Sequence, residues 1–294
     1  MREVVVISGK GGTGKTSVAA SLAVLASLAS GADRPVLADC DVDAADLHLV
    51  LRPGVVERHE FRSGNEAVIR RELCTGCGEC LPHCRFDAIR ADGAGGSWID
   101  PLECEGCGVC VRKCPAQAID FPERLCGEWM VSETRCGPMV HARLGVAAEN
   151  SGKLVSTVRR EARRIARERD RSLLIVDGPP GIGCPVIASL AGASLALVVT
   201  EPTVSGEHAL DRVLRLARHF SVPAAVCVNK WDLNEGMTLR IEQAAEVAGA
   251  RAAGRIRYDP AVTGAQIGEV AVVETGAPSA ADIRRMWEGL VSQG

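Results

Sequence analysis

The chain has 294 residues, of which 47% are hydrophobic and 3% aromatic, and it carries a formal net charge of -3. This length and apolar content support one large α/β domain together with a smaller one. The charge gives no general attraction to phosphate polymers and the few aromatic residues offer little base stacking, so we do not expect nucleic acid as a partner.

The start of the chain reads as a buried strand, Val4–Ile7, which leaves no room for a signal peptide. No apolar run in the sequence reaches the length needed to cross a bilayer. We therefore expect a cytoplasmic protein without a membrane partner. In that compartment, the 13 cysteines are interpreted as thiolate ligands and buried thiols rather than disulfides.

A phosphate-binding loop follows this strand and precedes a helical run. Its glycines let backbone N–H groups converge on a β-phosphate at the helix N-terminus, Lys15 neutralises the β- and γ-phosphates, and the Thr16 hydroxyl is placed to ligate Mg2+. A Gly-rich loop without a function is the weaker alternative. The predicted nucleotide-binding residues in this segment are Gly9, Gly11, Gly12, Thr13, Gly14, Lys15, Thr16 and Ser17.

Eight cysteines form two identical runs in the middle of the chain, Cys74-x2-Cys77-x2-Cys80-x3-Cys84 and Cys104-x2-Cys107-x2-Cys110-x3-Cys114. Three thiolates of one run can cap three corners of a 4Fe-4S cube, while the fourth ligates the other cluster. The spacing therefore predicts two clusters. Cluster 1 is assigned to Cys74, Cys77, Cys80 and Cys114, and cluster 2 to Cys104, Cys107, Cys110 and Cys84.

Structural zinc is the alternative for paired cysteines, but it takes its ligands from two separated pairs rather than two interleaved runs. Residues 70–122 instead resemble two-cluster bacterial ferredoxins. Pro115 follows the last ligand of the second run as in that family, whereas Arg85 occupies the corresponding place in the first. Glycines inside the runs allow the backbone to wrap each cube.

Acidic residues end two further apolar strands. Asp39 and Asp41 belong to the segment 36–43, and Asp177 belongs to the segment 173–181. A strand-end carboxylate beside a triphosphate is useful only with a metal that offsets the repulsion. We expect Thr16, Asp41 and Asp177 to hold Mg2+.

Lys10, directly after the first glycine of the loop, resembles the second lysine of the deviant Walker A loop in the MinD/Mrp/nitrogenase-iron-protein class. The resemblance continues through both acidic strands and 226–230. It implies an α/β, mostly parallel-sheet P-loop NTPase with an inserted α+β ferredoxin-like domain. Its segments would be residues 1–60 and 123–294 for the ATPase and 61–122 for the insertion.

The same resemblance implies an ATPase mechanism. Lys15 and Lys10 would be catalytic, Lys10 by reaching the nucleotide of a second subunit in a homodimer or in a heterodimer with a similar ATPase. Asp41 would orient the attacking water, with Asp39 in support, and Asp177 would hold the Mg2+ shell.

Base recognition has two interpretations. Asn229-Lys230-Trp231-Asp232 matches the NKxD guanine-reading motif of GTPases, in which the aspartate contacts the base. In the MinD class, an asparagine at this strand end reads adenine, with a second contact from a loop resembling Tyr258-Asp259-Pro260. We favour ATP, keep GTP as the alternative, and assign base contacts to Asn229, Asp232, Tyr258 and Asp259.

Five cysteines lie outside the two runs. In its place after the second acidic strand, Cys184 resembles a cysteine of the nitrogenase iron protein that helps hold a cluster between two subunits. Cys136 is a poorly placed candidate for the second such cysteine. A bridging metal at Cys184 is weighed against an inert buried thiol. Cys40, Cys126 and Cys227 are predicted to be structural.

The preferred functional hypothesis is an ATP-hydrolysing dimeric switch that passes electrons to a partner metalloprotein or redox protein, or delivers a metal cofactor to it. A MinD/ParA-like positioning ATPase with redox-sensing clusters is the alternative, and a free electron carrier with an inactive nucleotide site is a third. Segments 137–145 and 149–153 also resemble this group. We interpret them as a packed connector, with communication between cluster and nucleotide as the alternative. We expect the Arg-rich helix at 159–171 to be solvated rather than to dock an acidic partner. We expect the C-terminal helix at 283–291 to close the core rather than bind a membrane.

Overall fold

The computed structural model describes residues 1–29, 33–145 and 151–292. These residues form two compact units. The larger unit contains Met1–His59, Glu128–Leu144 and the described part of Ser151–Gly294. The smaller unit contains Glu60–Gly127 and, of the segment Gly145–Asn150, the described residue Gly145. Of the connector segment 149–153, residues 149–150 lie outside the described residues.

Strands and helices alternate through the larger unit, as expected for a P-loop fold. In chain order the strands of the protein are β1 (Arg2–Ser8), β2 (Val36–Asp39), β3 (Gly54–Asn65), β4 (Val68–Ile69), β5 (Ile89–Ala91), β6 (Ser97–Ile99), β7 (Ile119–Asp120), β8 (Glu123–Thr134), β9 (Gly137–Leu144), β10 (Leu173–Pro180), β11 (Leu195–Thr200), β12 (Ala224–Asn229) and β13 (Arg251–Ile256). The helices are α1 (Lys15–Ala29), α2 (Leu47–Leu51), α3 (Val109–Lys113), α4 (Ser151–Glu168), α5 (Cys184–Leu190), α6 (Val204–His219), α7 (Glu235–Val247), α8 (Ala261–Ile267) and α9 (Pro278–Val291).

The central sheet has the order β13-β12-β11-β1-β10-β2-β9-β8-β3. The strands from β13 to β9 run parallel to their neighbours. Their apolar runs are buried almost continuously, as parallel strands covered by helices on both faces require. This arrangement brings the carboxyl ends of β1, β2 and β10 to one edge, where ligands bind in open α/β sheets.

Helix α9 packs against the core of the larger unit. Ile283, Met286 and Leu290 are buried in the same apolar cluster as Leu22 of α1. The prediction that this C-terminal helix closes the core is confirmed. No helix within residues 1–29, 33–145 and 151–292 is both long and apolar enough to span a bilayer.

Helix α4 is not the uniformly solvated helix that the sequence suggested. Arg164 pairs with Glu168 at the surface, but Arg159 is only 3% exposed. Its Nε donates to Glu3 Oε1 at 2.5 Å, and Arg163 Nε donates to Glu3 Oε2 at 2.8 Å. The difference arises because Glu3 lies on β1, far away in sequence, so helical periodicity gives no sign of it.

The smaller unit contains two short antiparallel sheets, β4 with β7 and β5 with β6. Its core combines cysteines of both runs, Cys80 and Cys110, with Ala67, Ile89 and Ile119. This unit is built around the two cysteine runs rather than around a large apolar core.

The main segment of the smaller unit runs from Glu60 to Gly127, whereas the insertion is predicted at 61–122. Hydrogen bonds join its first and last strand segments. Arg62 donates to the Glu123 carbonyl at 3.2 Å, and the Cys126 thiol donates to the Ser63 carbonyl at 3.2 Å. Residues 123–127 therefore pack with the smaller unit.

Candidate functional site

The phosphate-binding loop joins β1 to α1 and borders a cavity of about 580 Å³. Gly12 and Gly14 adopt φ values of +77° and +89°, which favour glycine. Helix α1 begins at Lys15, so its free N–H groups face the cavity and suit an anion. The predicted loop residues that line the cavity are Gly11, Gly12, Gly14, Lys15, Thr16 and Ser17.

Two predicted loop residues serve packing instead of lining this cavity. A Cβ atom on Gly9 would lie 2.5 Å from the Cβ atom of Ala209, so glycine is needed there for close approach to α6. Thr13 is buried, and its hydroxyl has no hydrogen-bond partner in the described part of the chain. The Thr13 carbonyl, however, accepts a hydrogen bond from Asn229 Nδ2 at 2.8 Å.

Lys10 lies beside a carboxylate that the sequence analysis missed. Its Nζ is 3.0 Å from Glu201 Oε2, and Lys230 Nζ is 2.6 Å from Glu201 Oε1. Burial opposes ionisation of Glu201, but the hydrogen bonds from Lys230 and Lys10 outweigh it and the pKa of Glu201 is lowered. The Lys10 ammonium is thus held by its own chain and does not border the cavity.

Three aspartates converge at the carboxyl ends of β2 and β10. Asp39 and Asp177 are paired in register, and Asp41 Oδ2 lies 3.8 Å from Lys15 Nζ. Burial, followed by the charge of Asp177, raises the pKa of Asp39. Burial also raises the pKa of Asp177 to about 7 and raises that of Asp41, with Lys15 opposing both shifts.

Asp39 has a structural contact that explains its burial. Its two carboxylate oxygens accept from the backbone N–H groups of Asp41 and Leu47, each at 3.2 Å. Asp39 therefore fixes both ends of the short loop that carries Asp41.

The residues predicted to hold Mg2+ fit a hard divalent cation. Both oxygens of Asp177 are buried and lack hydrogen-bond partners among the described residues. The Thr16 hydroxyl lies close enough to lower the pKa of Asp177, and Asp41 borders the cavity. Oxygen donors of this kind suit Mg2+, and a cation would compensate the buried carboxylates.

The predicted base-contact residues separate into two groups. Asn229, Tyr258 and Asp259 border the cavity, whereas Asp232 does not. Asp232 Oδ1 accepts from the backbone N–H of Tyr258 at 2.6 Å. The carboxylate of Asp232 thus supports the loop that carries Tyr258.

Asp259 is also engaged in local structure. Its carboxylate accepts from the N–H of Ala261 at 3.0 Å and from the Ser279 hydroxyl at 2.8 Å. These bonds lower the pKa of Asp259, the largest contribution coming from the Ser279 backbone N–H.

The eight cysteines of the two runs surround two small cavities in the smaller unit. One cavity is bordered by the four cysteines assigned to cluster 1, Cys74, Cys77, Cys80 and Cys114. The other is bordered by those assigned to cluster 2, Cys84, Cys104, Cys107 and Cys110. Each cavity therefore takes three thiols from one run and the fourth from the other.

The backbone around the two cavities requires glycine at equivalent positions. Gly76 and Gly106 have φ values of +69° and +61°, and a Cβ atom on either would lie 1.8 Å or 2.1 Å from a backbone oxygen. The N–H of Ala118 points to Cys114 Sγ at 3.3 Å, a contact that stabilises negative charge on sulfur.

The remaining cysteines are mainly buried. Cys40, Cys126 and Cys227 are at most 1% exposed, and burial raises the pKa of Cys227 to about 12. Cys136 is also buried, whereas Cys184 is exposed at the start of α5. The expected inert buried thiol is therefore wrong for Cys184, and Cys136 does not supply a surface partner.

The chain matches the CbiA family, described as the CobQ/CobB/MinD/ParA nucleotide binding domain, over residues 4–269. It therefore belongs to this family of P-loop nucleotide-binding proteins. The uncharacterized protein MJ0578 of Methanocaldococcus jannaschii is 36% identical over 239 residues, covering 79% of this chain and 79% of that protein.

Solved structures show the same fold at low sequence identity. The Pyrococcus furiosus cell division ATPase MinD is 18% identical, with a TM-score of 0.60 and coverage of 100% of this chain and 99% of that chain. The septum site-determining protein MinD complexed with Mg-ADP from Pyrococcus horikoshii is 17% identical, with a TM-score of 0.59 and coverage of 98% and 95%.

Proposed function

We propose that this protein is an ATP-hydrolysing, dimer-forming switch that carries two 4Fe-4S clusters and serves a partner metalloprotein. It would either pass electrons to that partner or deliver a metal cofactor to it. The observation that carries the proposal is the arrangement of two separate groups of four thiols, each around its own cavity, in a chain of the MinD/ParA family.

The thiol groups fit cubane clusters better than single ions. Within residues 1–29, 33–145 and 151–292, no three His, Cys, Asp or Glu side chains are arranged to hold one metal ion. A 4Fe-4S cube binds one thiolate at each iron corner, so its ligands stand farther apart than those of one ion. The glycine-rich turns and the Ala118 N–H also suit such a group.

With clusters bound, the smaller unit would supply one-electron chemistry. Cys74, Cys77, Cys80 and Cys114 would hold one cluster, and Cys84, Cys104, Cys107 and Cys110 the other. Cys77 and Cys107 are exposed, which provides each group with a ligand near the surface of its unit.

The larger unit supports Mg-nucleotide chemistry with its own side chains. The α1 N-terminus and Lys15 would bind the phosphates, while Thr16 and Asp177 would hold Mg2+. Asp41 would orient the attacking water, and Asp39 fixes the loop of Asp41 through two hydrogen bonds. Lys10 would leave Glu201 to reach the nucleotide of a second subunit.

ATP is favoured over GTP because Asp232 does not border the cavity and its Oδ1 accepts from the Tyr258 N–H within its own loop. A guanine-reading aspartate must present free acceptors to the base. Asn229 and the loop of Tyr258 remain at the cavity for contacts to adenine.

The proposal is tested by anaerobic purification, followed by iron and sulfide analysis and EPR-monitored redox titration with and without MgATP. We expect about eight iron atoms per chain. Cys77→Ser should lose part of this iron, whereas Cys184→Ser, another exposed cysteine, should retain it. Equal iron contents in the two variants, or a wild-type protein that binds only one zinc ion, would refute the cluster assignment.

MgATP then distinguishes the roles of the switch. A nucleotide-dependent change in midpoint potential indicates an ATP-gated reductant, and an unchanged potential indicates cofactor delivery. Lys15→Ala should abolish both ATP hydrolysis and any potential change, because Lys15 is buried and borders the cavity in which the phosphates would bind.

Positioning of cargo or of the division site is a second candidate, favoured by membership of a family whose description includes MinD and ParA. It requires attachment to a surface. Co-sedimentation with anionic liposomes in the presence of MgATP would support it, and the absence of ATP-dependent binding would leave the metalloprotein role.

A further inference from the structure

The smaller unit contains an internal repeat that extends beyond the cysteines. The offset that relates Cys74 to Cys104 also relates Ala88 to Ala118 and Ile69 to Ile99. Ile69 and Ala118 border the Cys74 cavity, whereas Ile99 and Ala88 border the Cys104 cavity. The two cavities therefore have corresponding walls.

One position of this repeat breaks the correspondence. Ser97 borders the cavity of Cys74, Cys77, Cys80 and Cys114, and Ala67 occupies the equivalent place at the other cavity. Both side chains are buried, at 4% and 6% exposure. The buried wall of one cavity therefore carries a hydroxyl where the buried wall of the other carries a methyl group.

The Ser97 hydroxyl shares a buried wall with a cysteine of its own cavity. Ser97 and Cys80 both border this cavity, and they are 4% and 9% exposed. A hydroxyl donor stabilises negative charge on sulfur. Within the same cavity, Cys114 Sγ is contacted by the Ala118 N–H at 3.3 Å.

We infer that Ser97 raises the reduction potential of the site formed by Cys74, Cys77, Cys80 and Cys114 above that of its repeat partner. The inference rests on the proposed clusters. One-electron reduction adds negative charge, and hydrogen bonds to the ligand sulfurs stabilise the more negative state. The first electron from an external one-electron donor therefore resides at the site formed by Cys74, Cys77, Cys80 and Cys114. Ser97 makes and breaks no covalent bond in this step.

The charged residues that border the two cavities are matched in number and sign. Each cavity is bordered by one exposed glutamate, Glu79 at the first and Glu105 at the second. Exposed charges are screened by water and salt, whereas a hydrogen bond in a buried wall is not. Among the residues that border the cavities, the serine-to-alanine difference is thus a larger contribution to the order of the potentials than the two glutamates.

The test is an anaerobic EPR-monitored titration of the full-length, cluster-loaded protein with dithionite as the electron donor. In wild type we expect two separate midpoint potentials. Ser97→Ala should lower the higher potential alone, and Ala67→Ser should raise the lower potential alone. The double variant exchanges the two residues and should reverse which site is reduced first, while Ser97→Thr retains the hydroxyl and should preserve the wild-type order.

The outcomes separate this inference from the proposed function. A wild-type protein without iron and sulfide would overturn both. A loaded protein in which Ser97→Ala shifts the lower potential, or neither potential, would overturn only the role of Ser97. Ala67→Ser provides an independent result even where Ser97→Ala loses iron, because an unchanged lower potential in that variant also overturns the inference.

Discussion

Asp39 and Asp177 are paired in register on the neighbouring strands β2 and β10, and both are fully buried. Neither Asp177 oxygen has a hydrogen-bond partner in the described residues, whereas both Asp39 oxygens accept backbone N–H groups. We expect Asp177→Asn to stabilise the nucleotide-free protein by about 1–3 kcal/mol because a buried carboxylate without a hydrogen-bond donor is replaced by a neutral amide. The same variant should lose the Mg2+-dependent stabilisation by ATP.

Thermal unfolding with and without MgATP measures both effects. Asp43→Asn is a matched control, since Asp43 borders the same cavity but is exposed. It should leave the melting temperature nearly unchanged. A destabilised Asp177→Asn protein that retains its response to MgATP would contradict the assignment of Asp177 to the metal.

Asn229 connects the base side of the cavity to the phosphate-binding loop. Its Nδ2 donates to the Thr13 carbonyl at 2.8 Å, and its Oδ1 accepts from the Lys230 N–H at 3.0 Å. We expect Asn229→Ala to weaken ATP binding about tenfold, the loss of roughly one buried hydrogen bond. Competition of ATP and GTP against a fluorescent ATP analogue measures the change.

Asp232→Asn is the comparison variant in this experiment. Its carboxylate accepts from the Tyr258 N–H, and an asparagine side-chain oxygen can accept the same bond. The preference for ATP should therefore be retained. A selective loss of GTP binding in Asp232→Asn would show that the aspartate reads guanine.

The sequence was sufficient to predict features that depend on the local spacing of residues. The phosphate-binding loop depends on glycines next to a strand, and the α/β family fold that it predicted is confirmed by the match over residues 4–269. The roles of the aspartates were harder to predict. Asp232 and Asp259 are residue types that can contact a ligand, yet both accept hydrogen bonds from backbone N–H groups within loops. The sequence does not distinguish an aspartate that contacts a ligand from one that stabilises a loop.

Partners distant along the chain could not be predicted at all. Glu201 forms an ion pair with Lys10, although the two residues are 191 positions apart in the sequence. Glu3 similarly meets Arg159 at a separation of 156 residues. Such pairs depend on the order of strands in the sheet, which pattern and propensity do not specify. The local sign of such a pair was a charged residue within an otherwise apolar strand, such as Glu3 in β1.

His141 makes the stability of the larger unit depend on pH. Its Nε2 lies 2.8 Å from Ser132 Oγ, and its ring stacks on that of His48. Burial, followed by the charges of His48 and Arg58, lowers the pKa of His141 to about 4, although Glu128 opposes the shift. The native state therefore favours neutral His141.

Because the folded pKa lies below the ordinary value of 6.5, the stability associated with neutral His141 is fully present above pH 6.5. It is lost as the pH falls from 6.5 towards 4. Between pH 7 and pH 5 this group should reduce the free energy of unfolding by about 2 kcal/mol. Urea denaturation of wild type and His141→Gln measures the contribution, and an identical pH dependence in both proteins would exclude it.

The buried ion pair of Glu3 and Arg159 gives the sharpest prediction for stability. Both residues are only 3% exposed, and Arg163 provides a second guanidinium to Glu3. Glu3→Gln leaves the Arg159 charge buried without its counter-charge, so it should lower the free energy of unfolding by about 3–5 kcal/mol. Arg164→Ala, which removes surface pairs with Glu161 and Glu168, should lower it by about 1 kcal/mol or less.

A double variant, Glu3→Leu with Arg159→Met, distinguishes the cost of an unpaired charge from the value of the pair itself. Replacing both charges by apolar side chains removes the desolvation penalty together with the attraction. We therefore expect the double variant to recover most of the stability that Glu3→Gln loses, as measured by urea denaturation. A double variant less stable than Glu3→Gln would contradict this expectation. It would show that the hydrogen bonds of the pair stabilise the fold by more than the burial of its charges costs. These hydrogen bonds include the two from Arg159 to the carbonyls of Ala188 and Ala191.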